Sequence, residues 1–380
     1  MSPINNISLL VGLKNNLDYS KHFYETTREL YPDVEICFVS YGSVDGTNEW
    51  LSSLQDTNVK YFYSEESKTF SDTFNKAVEL ATNEYVAYVH NDIVLAPGFI
   101  ENIEKHMSPN NIVSYTTIEP PIFSGHARPG KLICDLGVDL KTFNIQKLYE
   151  FVSQENYKYL NKIEPGITFF MCMPRKKLLE IGGLDNLFNP MFCEDDDLIQ
   201  RWKLLGTNCF TALDAMCYHF VSKTSRFSEE YQTKTAMIEF HSNRNFIRKW
   251  GSRTNNHKYN IHAVIHNCNY QILELLEPWF SGIYCKCTDT FNWELYCNQE
   301  QKNTKFNLRD RIKNIEDLNM DVIDILVEFD AKQLTANSMN IIQNLSDILT
   351  ESGEMGEFVL DCFKITITNL RTYEHQLIKL

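Results

Sequence analysis

The chain has 380 residues, a formal charge of -14, and 43% hydrophobic and 13% aromatic residues. That length exceeds one typical domain and suggests two. The acidic balance argues against binding a nucleic-acid backbone, which needs clustered Lys and Arg. No run approaches the roughly 20 apolar residues of a membrane helix, so no membrane span is expected. The N-terminus, Met1-Ser2-Pro3-Ile4-Asn5-Asn6, lacks a basic stretch followed by an apolar core, which points to the cytoplasm. The cysteines number 11 and stand mostly in apolar surroundings such as Ile36-Cys37-Phe38, which suits reduced core thiols. Cys285-Lys286-Cys287, with Cys268 and Cys297, fits no zinc spacing.

In chain order, Ile7 to Leu13 is an apolar strand, and Tyr19 to Leu30 carries apolar residues at helical spacing. Val34 to Val39 is a second buried strand, followed by Gly42-Ser43-Val44-Asp45-Gly46-Thr47. Asp45-Gly46 signals a turn, and Ser43 and Asp45 are natural caps for the helix that begins near Glu49. Lys60 to Tyr63 reads as a strand, Thr69 to Thr82 as a helix and Glu84 to Val89 as a fourth strand. This alternation predicts an α/β fold: a mostly parallel sheet with helices on both faces, binding ligands at the carboxyl ends of its strands. Lys14, Asp45 and Asp92 all fall at such ends. His90-Asn91-Asp92 either opens the turn before Pro97-Gly98 or presents a carboxylate to a metal or phosphate. No Gly-x-Gly-x-x-Gly or P-loop is present to hold phosphate, which favours a metal ion as the partner of a diphosphate.

From Met107 to Leu160 the pattern weakens, with loops at Glu119-Pro120-Pro121 and Ala127-Arg128-Pro129-Gly130 and a helix over Lys141 to Gln154. This region reads as an insertion. Ile167 to Met173 reads as a strand, Arg175 to Ile181 as a helix closed by Gly182-Gly183, and Ala212 to Cys217 as another strand. Between them, Glu194-Asp195-Asp196-Asp197 opens a helix. Capping and an Asp197–Arg201 pair explain one or two of these acids. Four like charges together should push at least one pKa upward, as a general base requires.

Together these motifs resemble the family 2 glycosyltransferases of the GT-A (Rossmann-like) fold. They run in order as Gly42 to Thr47, Asn91-Asp92, Gly182-Gly183-Leu184-Asp185, Glu194 to Leu198 with Arg201 and Gly206, and Tyr218-His219. The resemblance spans about residues 5–251 and implies an inverting transfer from a nucleoside-diphosphate sugar, UDP-linked first, to an acceptor hydroxyl. It implies that Asp92 and His219 hold Mn²⁺ or Mg²⁺. Asp195 would be the general base, with Glu194 shaping its surroundings. Lys14, Ser43, Asp45, Asn75, Asn91 and Asp92 would bind the nucleotide sugar. The acceptor would be a glycan, a lipid-linked sugar or a protein.

Ser40, Tyr41 and His90 depart from the family pattern. The first two replace residues that touch the base, and His90 replaces the first acid or Asn of the metal motif. His90 is a metal ligand, a donor to phosphate or a tolerated substitution. Two other readings stay open: transfer to hydroxymethylated cytosine in DNA, and a GT-A-like module that has lost activity.

The expected domains are a glycosyltransferase domain over 1–251 and a small α/β accessory domain over 252–380, joined by a polar linker at 252–256. Arg244 and Arg248 precede the linker on a basic, aromatic helix and are candidate diphosphate or acceptor contacts. Beyond it, Gln271 to Trp279 reads as a helix, Val322 to Phe329 as a strand, Ser338 to Thr350 as a helix and Phe358 to Ile367 as a strand. Asp324, Glu328 and Asp330 read as solvent-facing acids on an edge strand. Oligomerisation, acceptor docking or partner binding is the expected role.

Overall fold

A computed structural model describes residues 6–221, 233–253, 257–288 and 291–380. Residues 254–256 of the expected linker lie outside these. The chain forms two compact units, Met1–Ala236 with Lys379–Leu380, and Met237–Ile378. This division falls ahead of the linker expected at 252–256.

The first unit opens with the expected alternation: β1 (Ile7–Leu13), α1 (Leu17–Leu30), β2 (Glu35–Tyr41), α2 (Thr47–Ser53), β3 (Val59–Ser64), α3 (Phe70–Leu80) and β4 (Tyr85–His90). It continues through β5 (Ile93–Leu95), α4 (Phe99–Glu104), β6 (Asn111–Glu119), α5 (Pro121–Ser124), β7 (Lys131–Ile133), α6 (Ile145–Tyr159), β8 (Ile163–Pro165) and β9 (Met171–Pro174). α7 (Arg175–Glu180), α8 (Glu194–Leu204) and β10 (Asn208–His219) follow. The sheet order is β3-β2-β1-β4-β9-β6-β10-β5, with β7 on β6 and β8 on β10.

β3, β2, β1 and β4 pair in parallel, β9 runs antiparallel to both β4 and β6, and β6 and β10 pair in parallel. The two reversals at β9 cancel. The carboxyl ends of β1, β2, β4, β6 and β10 therefore all point to one edge of the sheet. β1, β2 and β4 are mostly apolar because both faces are covered, and Leu9, Val11, Phe38 and Val89 are fully buried in the core. Each such side chain contributes roughly 1.5–3 kcal/mol by leaving water. α3 starts at Thr69, whose hydroxyl accepts from the Asp72 amide while the Asp72 carboxylate accepts from the Thr69 amide.

The weak region at 107–160 contains a central strand, β6, whose register places it beside β10 and β9. The expected strand at Ile167 to Met173 is shorter, β9 alone, and β8 lies upstream of it.

The second unit contains most of α9 (Thr235–Trp250), then β11 (Ile261–His266), α10 (Tyr270–Leu276), β12 (Gly282–Cys285), α11 (Trp293–Glu300), α12 (Leu308–Arg311) and β13 (Ile312–Lys313). β14 (Ile325–Asp330), α13 (Ala336–Gln343), α14 (Leu345–Ser352), β15 (Gly356–Leu360) and β16 (Phe363–Ile367) complete it. Its sheet order is β13-β12-β11-β14-β16-β15. β14 is thus an interior strand and not an edge. Asp324, just before it, is buried and paired with Arg371 and Tyr373, and Glu328 meets His266 at 2.8 Å. The single strand expected over Phe358 to Ile367 is a hairpin, because Asp361 adopts φ 55 and reverses the chain. The expected helix over Ser338 to Thr350 is likewise two, meeting at Asn344.

Candidate active site

His90 ends β4, Asp92 follows it, and His219 ends β10; Phe220 N–H donates to the Asp92 carbonyl at 3.0 Å, which ties the two strand ends together. His90 Nδ1 and His219 Nε2 each lie 3.6 Å from Asp92 Oδ1. Three donor atoms, one from each residue, fall within 4.8 Å of one another. Asp92 is buried, His219 nearly so, and His90 is partly open to solvent. An aromatic wall fixes the two imidazoles: ring centroids are 5.3 Å apart for Tyr88 and His90, 4.9 Å for His90 and Phe170, and 5.1 Å for Phe170 and His219.

A cation fits this arrangement. His219 Nδ1 is 3.2 Å from Glu119 Oε1, and a carboxylate only accepts, so Nδ1 carries the hydrogen, which in the neutral ring leaves the lone pair on Nε2. That Nε2 is buried with no hydrogen-bond partner among the described residues. A lone pair facing a carboxylate is repulsive unless a positive charge lies between them. Ligand atoms on one ion, with bonds of about 2.1 Å, stand roughly 3–3.5 Å apart, close to the separation seen.

Glu119, at the end of β6, also receives Lys131 Nζ at 2.8 Å. Burial alone would raise its pKa, but hydrogen bonds from His219 and Lys131 outweigh it and hold the carboxyl at about 2. Reading the sequence missed Glu119. Its signal was the β-branched run Ile112-Val113 to Thr116-Thr117-Ile118, closed by Pro120-Pro121.

The acids at the start of α8 play different parts. Asp197 and Arg201 are fully buried and bridged at 2.9 Å, and Arg201 also donates to the carbonyls of Ile181 and Gly183. They anchor the helix. Glu194 is buried, its Oε2 has no hydrogen-bond partner among the described residues, and burial, then Asp195, pushes its pKa up to about 8. Asp195 is half-buried, and its pKa also rises through burial and the neighbouring Asp196. The phenol of Tyr88 is driven well above its ordinary value by burial, then by Asp92 and Glu194, so it feels both acidic groups.

Other expected site residues have structural partners. Asn75 grips the Leu184 backbone through both ends of its amide. Asp45 accepts from the amides of Leu17 and Thr47, joining the starts of α1 and α2. Ser43 accepts from the Asn15 amide, and buried Asn91 donates to Ser20 Oγ at 3.0 Å. Lys14 reaches Ser67 Oγ at 2.8 Å in an exposed position. The structure does not bear out the expectation that Arg244 and Arg248 face a diphosphate. In the second unit both are buried against Glu277 and Glu300, with Arg248 2.6 Å from Glu277 Oε2 and 2.7 Å from Glu300 Oε1.

Residues 8–182 match the family description "Glycosyl transferase family 2". Over these residues the chain matches a family 2 glycosyltransferase domain. The match ends at Gly182, before Glu194, Asp195 and His219, so their placement rests on the geometry above. No curated protein matches in sequence. Among solved structures, the chain is similar to mannosyltransferase PcManGT from Pyrobaculum calidifontis in complex with GDP-Man and Mn²⁺ (17% identity, TM-score 0.40, covering 65% of this chain and 62% of that one). It is also similar to S. aureus TarS 1-349 in complex with UDP-GlcNAc (14%, 0.40, 63% and 70%) and to GalNAc-T7 with UDP, GalNAc and Mn²⁺ (10%, 0.46, 64% and 47%). The similarity thus spans less than two thirds of the PcManGT chain. No helix among the described residues of the glycosyltransferase domain or the second unit is long and apolar enough to cross a membrane.

Proposed function

We propose that this chain is a metal-dependent inverting glycosyltransferase that moves a sugar from a nucleoside-diphosphate sugar to an acceptor hydroxyl. The observation that carries this reading is the His90–Asp92–His219 cluster at the carboxyl edge of a family 2 domain, with a buried imidazole nitrogen aimed at a carboxylate. Those three residues would hold Mn²⁺ or Mg²⁺. When bound, such an ion supplies neutralisation of the charge that develops on the leaving diphosphate.

Asp195 is the base in this reading. Glu194, with a pKa of about 8, is largely protonated at neutral pH and cannot accept a proton there. Asp195 is more open to solvent and a stronger base than an ordinary carboxylate. It takes the proton of the acceptor hydroxyl as that oxygen bonds to the anomeric carbon and the bond from that carbon to the diphosphate oxygen breaks. Attack opposite the leaving group inverts the configuration.

The test is turnover of a panel of UDP- and GDP-sugars with Mn²⁺, with acceptor alcohols present and the product anomer read by NMR. Wild type should turn over at least one donor, and Asp195→Asn should lose roughly 10²–10⁴-fold. Equal, background-level rates for the two proteins on every donor would sink the enzymatic reading.

A further inference from the structure

We infer that Glu119, clamped by Lys131, is a positioning residue that fixes the tautomer and ring angle of His219 so that its Nε2 is presented to a divalent cation shared with Asp92. This rests on the metal reading above and extends it to residues the motifs do not include.

The placement follows from strand register. β6 and β10 run in parallel with Thr117 beside Cys217 and Ile118 beside Tyr218, so the next pair along is Glu119 and His219. β7 lies on the other side of β6 with Lys131 beside Thr117, two residues from Glu119 and therefore on the same face. The three side chains form a line across adjacent strands: Lys131 Nζ to Glu119 Oε2 at 2.8 Å, and Glu119 Oε1 to His219 Nδ1 at 3.2 Å. Thr117 Oγ1 donates to Glu119 Oε1 at 3.3 Å.

Each member has a physical task. Glu119 is 7% exposed, and a buried carboxylate needs compensating charge, which Lys131 gives. With Oε2 held by Lys131, Oε1 is aimed at the imidazole. Accepting from Nδ1–H excludes the other neutral tautomer and makes Nε2 a better electron-pair donor. Without Glu119 the ring could turn or place its hydrogen on Nε2, where it would donate to Asp92 and close the site to a cation.

The experiment is Mn²⁺ binding to the full chain, measured by the EPR signal of free Mn²⁺, with electron spin-echo detection of imidazole nitrogen on the bound ion. Glu119→Ala should weaken Mn²⁺ roughly 10–100-fold and remove one of the nitrogen couplings. Glu119→Gln, whose amide oxygen still accepts from Nδ1–H, should recover most of the affinity. Lys131→Met should give an intermediate loss. A purely structural Glu119 would lower the melting temperature of the metal-free protein without changing affinity or couplings, and that result overturns the inference. Asp92→Asn and His219→Ala are the reference arms. If they abolish binding and Glu119→Ala binds like wild type, this inference alone falls. If wild type takes up no Mn²⁺, the metal reading falls, and this inference falls with it.

Discussion

Asn75 and Leu184 are joined by a two-point clasp: Asn75 Nδ2 donates to the Leu184 carbonyl at 2.9 Å, and Asn75 Oδ1 accepts the Leu184 N–H at 2.8 Å. The Gly182-Gly183 turn is thereby fixed to α3. Gly183 adopts φ +71, and a Cβ there would lie 2.2 Å from Asn75 Oδ1, so the glycine serves both the turn and the clasp. Asn75→Ala should lower stability by about 2 kcal/mol, since two backbone groups lose their partner. Gly183→Ala should cost at least as much through backbone strain and the clash. Urea unfolding checks both. An Asn75→Ala protein as stable as wild type would return Asn75 to the list of candidate donor contacts.

The raised carboxyl of Glu194 makes a signed prediction about pH. An acid with a folded-state pKa of about 8 binds its proton more tightly in the folded protein than in the unfolded chain, where the value is near 4.5. The contribution of Glu194 to stability is therefore fully present below the unfolded value and is lost as pH rises through about 8. Asp195 shifts in the same direction. Glu194→Gln removes the larger contribution, so its melting temperature relative to wild type should improve by roughly 5 °C between pH 5 and pH 8.5. A difference that stays constant across that range would show that Glu194 ionises normally.

Much of this arrangement was legible in the sequence, for specific reasons. β1, β2 and β4 are mostly apolar runs because parallel strands are covered on both faces, and the helices between them keep a 3.6-residue rhythm. His90, Asp92 and His219 could be singled out because each follows such a run. β6 was obscured by Ser114, Thr116 and Thr117; the hydroxyls of Ser114 and Thr116 are satisfied by partners distant in sequence, the Thr168 and Ala212 carbonyls, and that of Thr117 by Glu119. Glu119 was lost with it. Asp45, Asn75 and Asn91 have the residue types of a binding site, but Leu17, Leu184 and Ser20 determine where their polar atoms point. Only the tertiary fold supplies those partners.

His90 should set which ion the site prefers. Two imidazoles and one carboxylate form a nitrogen-rich set that suits Mn²⁺ better than Mg²⁺, which favours oxygen. In the proposed site, wild type should bind Mn²⁺ at least about tenfold more tightly than Mg²⁺. His90→Asp should narrow that ratio by raising Mg²⁺ affinity, and His90→Ala should weaken Mn²⁺. Competition titration of Mn²⁺ with Mg²⁺ measures both. An unchanged ratio in His90→Asp would remove His90 from the ligand set and leave it as part of the aromatic wall.

Arg248 separates structural from functional use of a cation. It is fully buried, its guanidinium meets Glu277 and Glu300, and Glu277 also meets Arg311 at 2.9 Å. Burial opposes ionisation of Glu277, yet Arg311 and Arg248 hold its pKa down at about 2, so the cluster stays charged. Removing one member strands its partners in a low-dielectric interior. Arg248→Met should therefore destabilise the second unit by about 3–5 kcal/mol. The paired change Arg248→Met with Glu277→Gln should cost less than the sum of the two singles, because it removes opposite charges together. Chemical denaturation of the four proteins closes this cycle. The donor-sugar dissociation constant of whatever Arg248→Met protein remains folded should equal that of wild type. A tenfold weakening there, with stability unchanged, would reassign Arg248 from the buried network to the diphosphate.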